Sequence, residues 1–145
     1  MCIMIKHSLE IGASKEKLFK LTQDYSIRLD WDPFPESYKF INGSKIKTGL
    51  QIEVCDKSGR SMIVEYVSYK TPETASIKMI EGPWYIKKFA GSWTFKEKGN
   101  NTVVTFKYNI LCHPKILTFF VNYFFLQHAK KRLASLKKYA EISIN

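Results

Sequence analysis

The fold is decided by residues 115–140, which read KILTFFVNYFFLQHAKKRLASLKKYA and follow Pro114. Apolar residues recur in this stretch at intervals of three or four, the spacing of one face of an α-helix. The predicted buried stripe consists of Phe119, Tyr123, Leu126, Ala129, Leu133, Leu136 and Ala140. A helix of about 25 residues is about 40 Å long, so it reaches across a whole sheet.

Upstream of Pro114 the sequence changes to short strand-like segments between turns. Turn residues such as Asn42-Gly43 and Gly82-Pro83 separate the segments. The predicted strands are residues 38–41, 50–54, 62–69, 74–81, 85–96 and 102–111. Because six such segments follow one another with tight turns between them, the pattern predicts an antiparallel meander.

The N-terminal part predicts one further strand and two short helical segments. Residues 3–11 place most of their apolar side chains on one parity, as a half-buried strand does. Ser14 is a suitable N-cap for a helix that ends near Asp24. A second helical turn is expected over residues 28–31, before Pro33 and Pro35. The predicted order is therefore strand, two short helices, six strands and one long helix.

Length and composition limit the class of protein. The chain has 145 residues, 45% of them hydrophobic, which predicts one folded domain over residues 1–145 and not a disordered chain. Cys2, Cys55 and Cys112 show no CxxC spacing, so a reducing compartment is expected and disulfides are not. The sequence shows neither a signal-peptide pattern nor an apolar run long enough to span a membrane, which predicts a cytoplasmic protein.

Charge and motifs exclude several classes of function. The net charge of +10 favours anionic partners, but no zinc finger, helix-turn-helix or RNA-binding motif accompanies it. Specific nucleic-acid binding is therefore not expected. No HExxH, GxSxG or P-loop motif is present, and the three histidines lack metal-ligand spacing. We expect no cofactor and no metal, and the catalytic residues, if there are any, stay unassigned.

Several stretches carry a resemblance to a known superfamily. They are residues 5–11, residues 13–19, Trp31-Asp32-Pro33, Gly91-Ser92-Trp93-Thr94-Phe95 and residues 101–105. In this order they resemble the START-like or SRPBCC superfamily, and most closely its polyketide cyclase/dehydrase-like group. The resemblance implies an α+β helix-grip fold. In this fold a curved antiparallel sheet of about seven strands wraps around the long C-terminal helix, and two short helices follow the first strand.

The resemblance also implies a deep apolar cavity between the sheet and the last helix. The residues predicted to bind a ligand there are His7, Trp31, Ile52, Val54, Met62, Val64, Tyr66, Ile77, Met79, Trp84, Phe106, Tyr108, Phe119, Phe120 and Tyr123. Bulges in a curved sheet can shift the parity of a strand, so Tyr69, Phe89, Trp93 and Phe95 are alternative wall residues. The mouth is expected between the loop 31–35, the turn 82–84 and the start of the last helix.

Two functions follow from such a cavity. The first is binding of a hydrophobic small molecule such as a lipid, quinone, aromatic or polyketide-like compound. The alternative is a cyclase or dehydratase that uses His7 or a carboxyl as a proton donor. Asp30 and Asp32 are expected near the cavity entrance, and Glu53, Glu65 and Glu81 lie in strands. An inward carboxyl would have a raised pKa, although exposed, lysine-paired carboxylates are the more common case.

The tract 116–126 is apolar on nearly all sides of the predicted helix. A second apolar face is therefore left after the first packs on the sheet, and we expect it to pack against another surface. The rest of the domain, a second protomer or a membrane surface would each provide one. Lys130, Lys131, Arg132, Lys137 and Lys138 follow the tract and are expected on a solvated face. Apolar residues followed by cations are typical of peripheral contact with an anionic membrane. A monomer or homodimer, and an interaction module acting through this helix, remain open.

Overall fold

The computed structural model describes residues 3–142, so Cys2 lies outside the described part of the chain. The elements follow the predicted order. They are β1 (Ile3–Ile11), α1 (Lys15–Gln23), α2 (Tyr25–Trp31), β2 (Pro35–Phe40), β3 (Gln51–Asp56), β4 (Ser61–Lys70), β5 (Thr74–Glu81), β6 (Ile86–Lys98), β7 (Asn101–Cys112) and α3 (Ile116–Ile142). The α+β helix-grip fold is thereby confirmed.

The seven strands form one antiparallel sheet in the order β1-β7-β6-β5-β4-β3-β2. Strands β2 to β7 form the predicted meander, and β1 joins its far edge by pairing with β7, where Ile5 lies opposite Tyr108. The register shifts between Ile63 and Val64 and again between Tyr66 and Ser68 of β4. Such irregularities increase the local twist, which helps the sheet to curve around α3.

The two short helices are joined through a single capping residue. Ser14 caps α1 by accepting a hydrogen bond from the Lys17 amide at 3.2 Å. Asp24 ends α1, because its amide donates to the Lys20 carbonyl, and its side chain caps α2 by accepting from the Ser26 amide at 3.0 Å. The predicted helical turn over 28–31 is therefore longer than expected and begins at Tyr25.

Helix α3 packs on β1 and β7 and differs from the predicted stripe at its N-terminal end. Its buried residues are Thr118, Asn122, Phe125, Ala129, Arg132, Leu133, Leu136 and Ala140. The prediction is correct for the last four apolar positions, but Phe119 and Tyr123 are each 67% exposed. The stripe that begins with Thr118, Asn122 and Phe125 has the same helical spacing as the predicted one that begins with Phe119 and Tyr123. The Thr118 hydroxyl favours burial of the first stripe, because it accepts a hydrogen bond from the Cys112 amide at 3.1 Å.

The apolar tract 116–126 forms the start of α3 and does not continue far enough to cross a bilayer. Within residues 3–142, no helix has the length and hydropathy of a membrane span. The described cysteines are free thiols: Cys55 is half-buried on β3 and Cys112 is buried at the end of β7.

Candidate functional site

A cavity of about 280 Å³ lies between the sheet and helices α2 and α3. Strands β2 to β7 all contribute to its wall, and one end opens to solvent. Most of the wall is apolar: Phe34, Val54, Met62, Val64, Ala75, Ile77, Ile86, Phe89, Trp93, Phe106, Phe120, Val121, Phe124 and Phe125. An enclosed apolar space with a few polar groups is the usual form of a small-molecule site.

The structure brings together eight of the fifteen residues predicted to bind a ligand. The eight on the cavity wall are Val54, Met62, Val64, Tyr66, Ile77, Phe106, Tyr108 and Phe120. The other seven, which are His7, Trp31, Ile52, Met79, Trp84, Phe119 and Tyr123, lie elsewhere. Of the alternative wall residues, Phe89 and Trp93 line the cavity. The ligand-binding role of all these residues stays a prediction.

The seven residues away from the wall have different surroundings. His7 is half-buried on β1, the edge strand against which α3 packs. Trp31 and Ile52 are core residues, and the Trp31 indole donates to the Leu21 carbonyl at 3.0 Å. Met79 is half-buried on β5. The remaining three are exposed aromatic residues: Trp84, Phe119 and Tyr123.

The inner end of the cavity holds a buried charged cluster of Arg28, Asp32 and Arg132. One Asp32 oxygen accepts from Nε of Arg28 at 3.1 Å and from Nη2 of Arg132 at 2.8 Å. The other oxygen accepts from Nε of Arg132 at 3.0 Å. Arg132 also donates to the Tyr108 hydroxyl at 2.9 Å. A single carboxylate thus joins α2 to α3 and holds both guanidinium groups in place.

Asp32 is ionised in this setting. Burial favours its neutral form, but the charges of Arg132 and Arg28 outweigh burial and hold the pKa of this carboxyl below its usual value. The expected position of Asp32 near the cavity entrance is therefore wrong: its carboxyl is buried between Arg28 and Arg132, whose charges keep its pKa from rising. Burial raises the pKa of the Tyr108 and Tyr66 hydroxyls, so both stay neutral at physiological pH. The cluster consequently contains two positive charges and one negative charge.

Neutral polar groups extend this inner end along the wall. The hydroxyls of Tyr25 and Tyr66 lie 2.7 Å apart, and the Tyr66 hydroxyl donates to the Gln23 amide oxygen at 2.7 Å. The Arg28 guanidinium lies over the rings of Tyr25 and Tyr38, 5.4 and 5.7 Å from their centroids. The inner end can therefore orient a polar group of a ligand while the remaining wall contacts its apolar part.

The mouth of the cavity has its own ion pair. Asp56 and Arg60 are 3.1 Å apart, and Arg60 also donates to the Tyr85 hydroxyl at 3.1 Å. The guanidinium of Arg60 lies 5.3 Å from the centre of the Phe124 ring. Phe120 lines the mouth and is largely exposed. The start of α3 therefore forms one side of the mouth, as predicted.

An apolar patch surrounds this mouth. Its members are the exposed side chains of Trp84, Ile116, Phe119, Phe120, Tyr123 and Phe124. Trp84 is 76% exposed and stacks edge-on against Tyr85, which lines the cavity. Phe124 is 37% exposed and is partly covered by Arg60 and His128, whereas the other five side chains are more exposed, at 63% or above. Packing against the rest of the domain, one of the three alternatives for the tract 116–126, is therefore wrong for Ile116, Phe119, Phe120 and Tyr123.

Sequence reasoning missed the charged cluster. Arg132 was expected on a solvated face, but it is buried because it lies three residues after Ala129 and four before Leu136 on the same helical face. Arg28 and Asp32 have the four-residue spacing of a helical ion pair, which was the available clue. His128 on the same helix is half-buried between the rings of Phe34 and Phe124.

The proton donors suggested for catalysis do not line the cavity. His7, Glu53, Glu65 and Glu81 all lie outside its wall, and within residues 3–142 the lining carboxyl is that of Asp56. The same part of the chain contains no group of three or more His, Cys, Asp or Glu side chains placed to hold a metal ion.

Comparison with known proteins gives the chain's relatives. The family model described as polyketide cyclase / dehydrase and lipid transport matches residues 3–141. No curated protein sequence is significantly similar to the chain. The protein XoxI from Bacillus cereus shares 15% identity and a TM-score of 0.83, and the similarity covers 98% of both chains.

Two further solved structures have the same architecture. A protein of Thermus thermophilus shares 13% identity and a TM-score of 0.82, covering 99% of this chain and 100% of the other. Norcoclaurine synthase from Thalictrum flavum, a point mutant in complex with a transition state analogue, shares 13% identity and a TM-score of 0.78. It covers 100% of this chain and 98% of the synthase chain. At these identities the similarity shows a shared fold.

Proposed function

The chain belongs to the polyketide cyclase/dehydrase and lipid transport family, and from this premise we propose that it binds a hydrophobic small molecule in its cavity. Residues 1–145 act in this proposal as one ligand-binding domain. The observation that carries the proposal is the combination of an apolar wall with a polar inner end. Burial of apolar ligand surface contributes about 25 cal/mol per Å² before the cost of ordering the ligand.

A cavity-filling variant tests the binding site. Ile77 lies on β5 and contributes to the cavity wall. Ile77→Trp should weaken binding of the neutral fluorophore N-phenyl-1-naphthylamine by about tenfold or more, because the larger side chain occupies the space of the ligand. The measurement is a fluorescence titration of the purified protein, with native mass spectrometry to identify any co-purified hydrophobic molecule.

The matched control for this variant is Ile80→Trp. Ile80 lies on the same strand, is exposed and does not line the cavity. It should leave the affinity for the fluorophore within about twofold of the wild-type value, because surface substitutions have small effects. Equal weakening by both variants, or no saturable binding to the wild-type protein, would contradict the proposed site.

The cyclase or dehydratase alternative is less well supported by this cavity. Its lining carboxyl, Asp56, is partly buried, which favours the neutral form. Hydrogen bonds from Ser58 and the Arg60 amide outweigh that effect and lower the pKa of Asp56. A carboxyl that is held ionised is a poor proton donor at neutral pH. We therefore favour a binding protein, located in the cytoplasm as the cysteine pattern predicts.

The proposal includes contact with an anionic membrane through the apolar patch. Phe120 and Phe124 belong both to the patch and to the cavity wall, so a lipid surface there would lie directly at the mouth. Lys115 precedes α3, and Lys87 and Lys88 follow the Trp84 turn; all three are exposed. Cations beside exposed aromatic residues match the charge and polarity of an anionic membrane interface.

Vesicle binding tests this contact. Replacement of both Phe119 and Tyr123 by Ser should reduce binding to vesicles of phosphatidylcholine and phosphatidylserine by about tenfold, because two exposed aromatic groups are lost. Vesicles of phosphatidylcholine alone should bind the wild-type protein less. Replacement of Leu29 and Val67 by Ser is the control, since both are exposed apolar residues outside the patch.

The oligomeric state distinguishes the two remaining candidates for covering the apolar patch, a membrane surface and a second protomer. The membrane contact would be overturned by two results together. The wild-type protein would bind neither kind of vesicle, and it would form a dimer that dissociates when Phe119 and Tyr123 are replaced. Sedimentation velocity measures this directly. We expect a monomer in the absence of vesicles.

A further inference from the structure

The charges that line the cavity do not balance. At the mouth, Arg60 is paired with Asp56 at 3.1 Å, so this pair carries no net charge. At the inner end, Arg28 and Arg132 both line the cavity and share the single carboxylate of Asp32. One positive charge is therefore left over at the inner end of an otherwise apolar space.

The tyrosines at this end do not supply the missing negative charge. Burial raises the pKa of Tyr38, Tyr66 and Tyr108, so each phenol stays neutral at physiological pH. Burial of a charge without a counter-charge is costly, and the cost falls when an opposite charge and hydrogen bonds are provided. An anionic group of a ligand would provide both.

Arg28 makes fewer hydrogen bonds than Arg132 and has one guanidinium nitrogen that makes none. Its Nε donates to Asp32 at 3.1 Å and its Nη1 donates to the Thr22 carbonyl at 2.9 Å. Its Nη2 has no acceptor among residues 3–142. Arg132, in contrast, uses all three nitrogens, two for Asp32 and one for Tyr108. Of the six nitrogens in these two guanidinium groups, the one that donates to no acceptor within residues 3–142 is therefore Nη2 of Arg28, and Arg28 lines the cavity.

We propose that the cavity takes an amphipathic carboxylate, whose acid group binds Arg28 at the inner end while its apolar body contacts the wall. This inference rests on the proposed function and adds the chemical class of the ligand. A guanidinium is planar and presents parallel N–H donors that match the two oxygens of a carboxylate. The hydroxyls of Tyr25 and Tyr66, 2.7 Å apart, lie on the wall near this position, and their protons are already donated, from Tyr25 to Tyr66 and from Tyr66 to Gln23.

Whether the cavity binds a carboxylate or the corresponding neutral amide more tightly distinguishes this site from a purely apolar one. A carboxylate loses more hydration than a neutral amide when it enters an apolar cavity. A cavity without a matching cation would therefore favour the amide over the acid of the same chain length. Preference for the acid is expected only if the excess positive charge receives it.

The experiment compares decanoate with decanamide at neutral pH. Each competes with the neutral fluorophore N-phenyl-1-naphthylamine for the wild-type protein. We expect decanoate to bind about tenfold more tightly than decanamide, the effect of one charge-assisted pair. Equal affinity, or tighter binding of decanamide, overturns the carboxylate inference and leaves hydrophobic binding intact. Failure of the fluorophore to bind overturns the proposed function itself.

Arg28→Met tests the residue. This variant leaves Asp32 and Arg132 as a balanced pair joined at 2.8 Å, so the carboxylate keeps a partner. The ratio of the decanamide to the decanoate dissociation constant should fall from about ten to one or less. Lys39→Met removes the same charge from an exposed position outside the cavity and should keep the wild-type ratio. A ratio unchanged by Arg28→Met in a protein that still binds the fluorophore excludes Arg28 as the acid-binding group. If Arg28→Met does not fold, the wild-type comparison alone decides the ligand class.

Discussion

Replacement of Asp32 by Asn should lower the free energy of unfolding by about 3–5 kcal/mol. The substitution keeps the shape of the side chain but removes the only carboxylate that pairs with Arg28 and Arg132 in the described structure. Both guanidinium groups would then be buried without a counter-charge. Urea denaturation of the wild-type and variant proteins measures the difference.

The control for this prediction is Asp30→Asn. This variant makes the same substitution two residues before Asp32, at a position where the side chain is exposed. Its stability should be within about 0.5 kcal/mol of that of the wild-type protein. A similar small effect at Asp32 would show that the charged cluster contributes little to stability.

The contribution of Asp32 should also depend on pH. Its folded-state pKa is lowered relative to an unfolded value of about 3.9, so the native state binds fewer protons than the unfolded state in this range. The stabilisation is therefore fully present above about pH 5 and is lost as pH falls through the folded-state pKa. The stability gap between wild type and Asp32→Asn should narrow accordingly in acid. A gap that widens on acidification would contradict the assigned charge state.

The second large effect is expected at Phe125. Its ring packs against those of Phe34, Phe89 and Tyr108, with centroid distances of 5.9, 5.2 and 5.1 Å. Phe125→Ala should lower the free energy of unfolding by about 3 kcal/mol, the low end for a buried Phe, because one side of the ring faces the cavity. Thermal and urea denaturation report this loss.

Phe119→Ala is the matched substitution on the same helix. Phe119 is two-thirds exposed, so its removal should change stability by no more than about 0.5 kcal/mol. The pair of variants tests which face of α3 packs on the sheet. If Phe119→Ala were the more destabilising variant, the observed face would be wrong and the stripe predicted from apolar spacing would be correct.

The order of elements was predictable from sequence because turns and periodicity are local properties. Strand boundaries, the cap at Ser14 and the change of period after Pro114 all depend on neighbouring residues. The helical face was less predictable at the start of α3, where apolar residues occur on nearly every side. There a polar residue, Thr118, is buried through its hydrogen bond to β7, a contact that no helical periodicity reveals.

The cavity wall was predictable in its apolar part and at Tyr66 and Tyr108, but its charged residues were not. Val64 and Ile77 could be placed on the wall by strand parity. Arg28 and Arg132 could not, because charged residues are rarely buried unless a partner is nearby, and the partner of Arg132 lies 100 residues away in the chain. Only the folded topology brings the three side chains together.

The pairing of β1 with β7 has a consequence for how the chain reaches its native state. Ser8 and Thr105, which share a hydrogen bond across these strands, are 97 residues apart. Strand β1 therefore cannot pair until β7, the last strand of the sheet, has been synthesised, and α3 follows β7 in the chain. Closing so long a loop is entropically unfavourable and slows folding. We expect the meander to form first, and the cavity to be enclosed only when both ends of the chain have joined it.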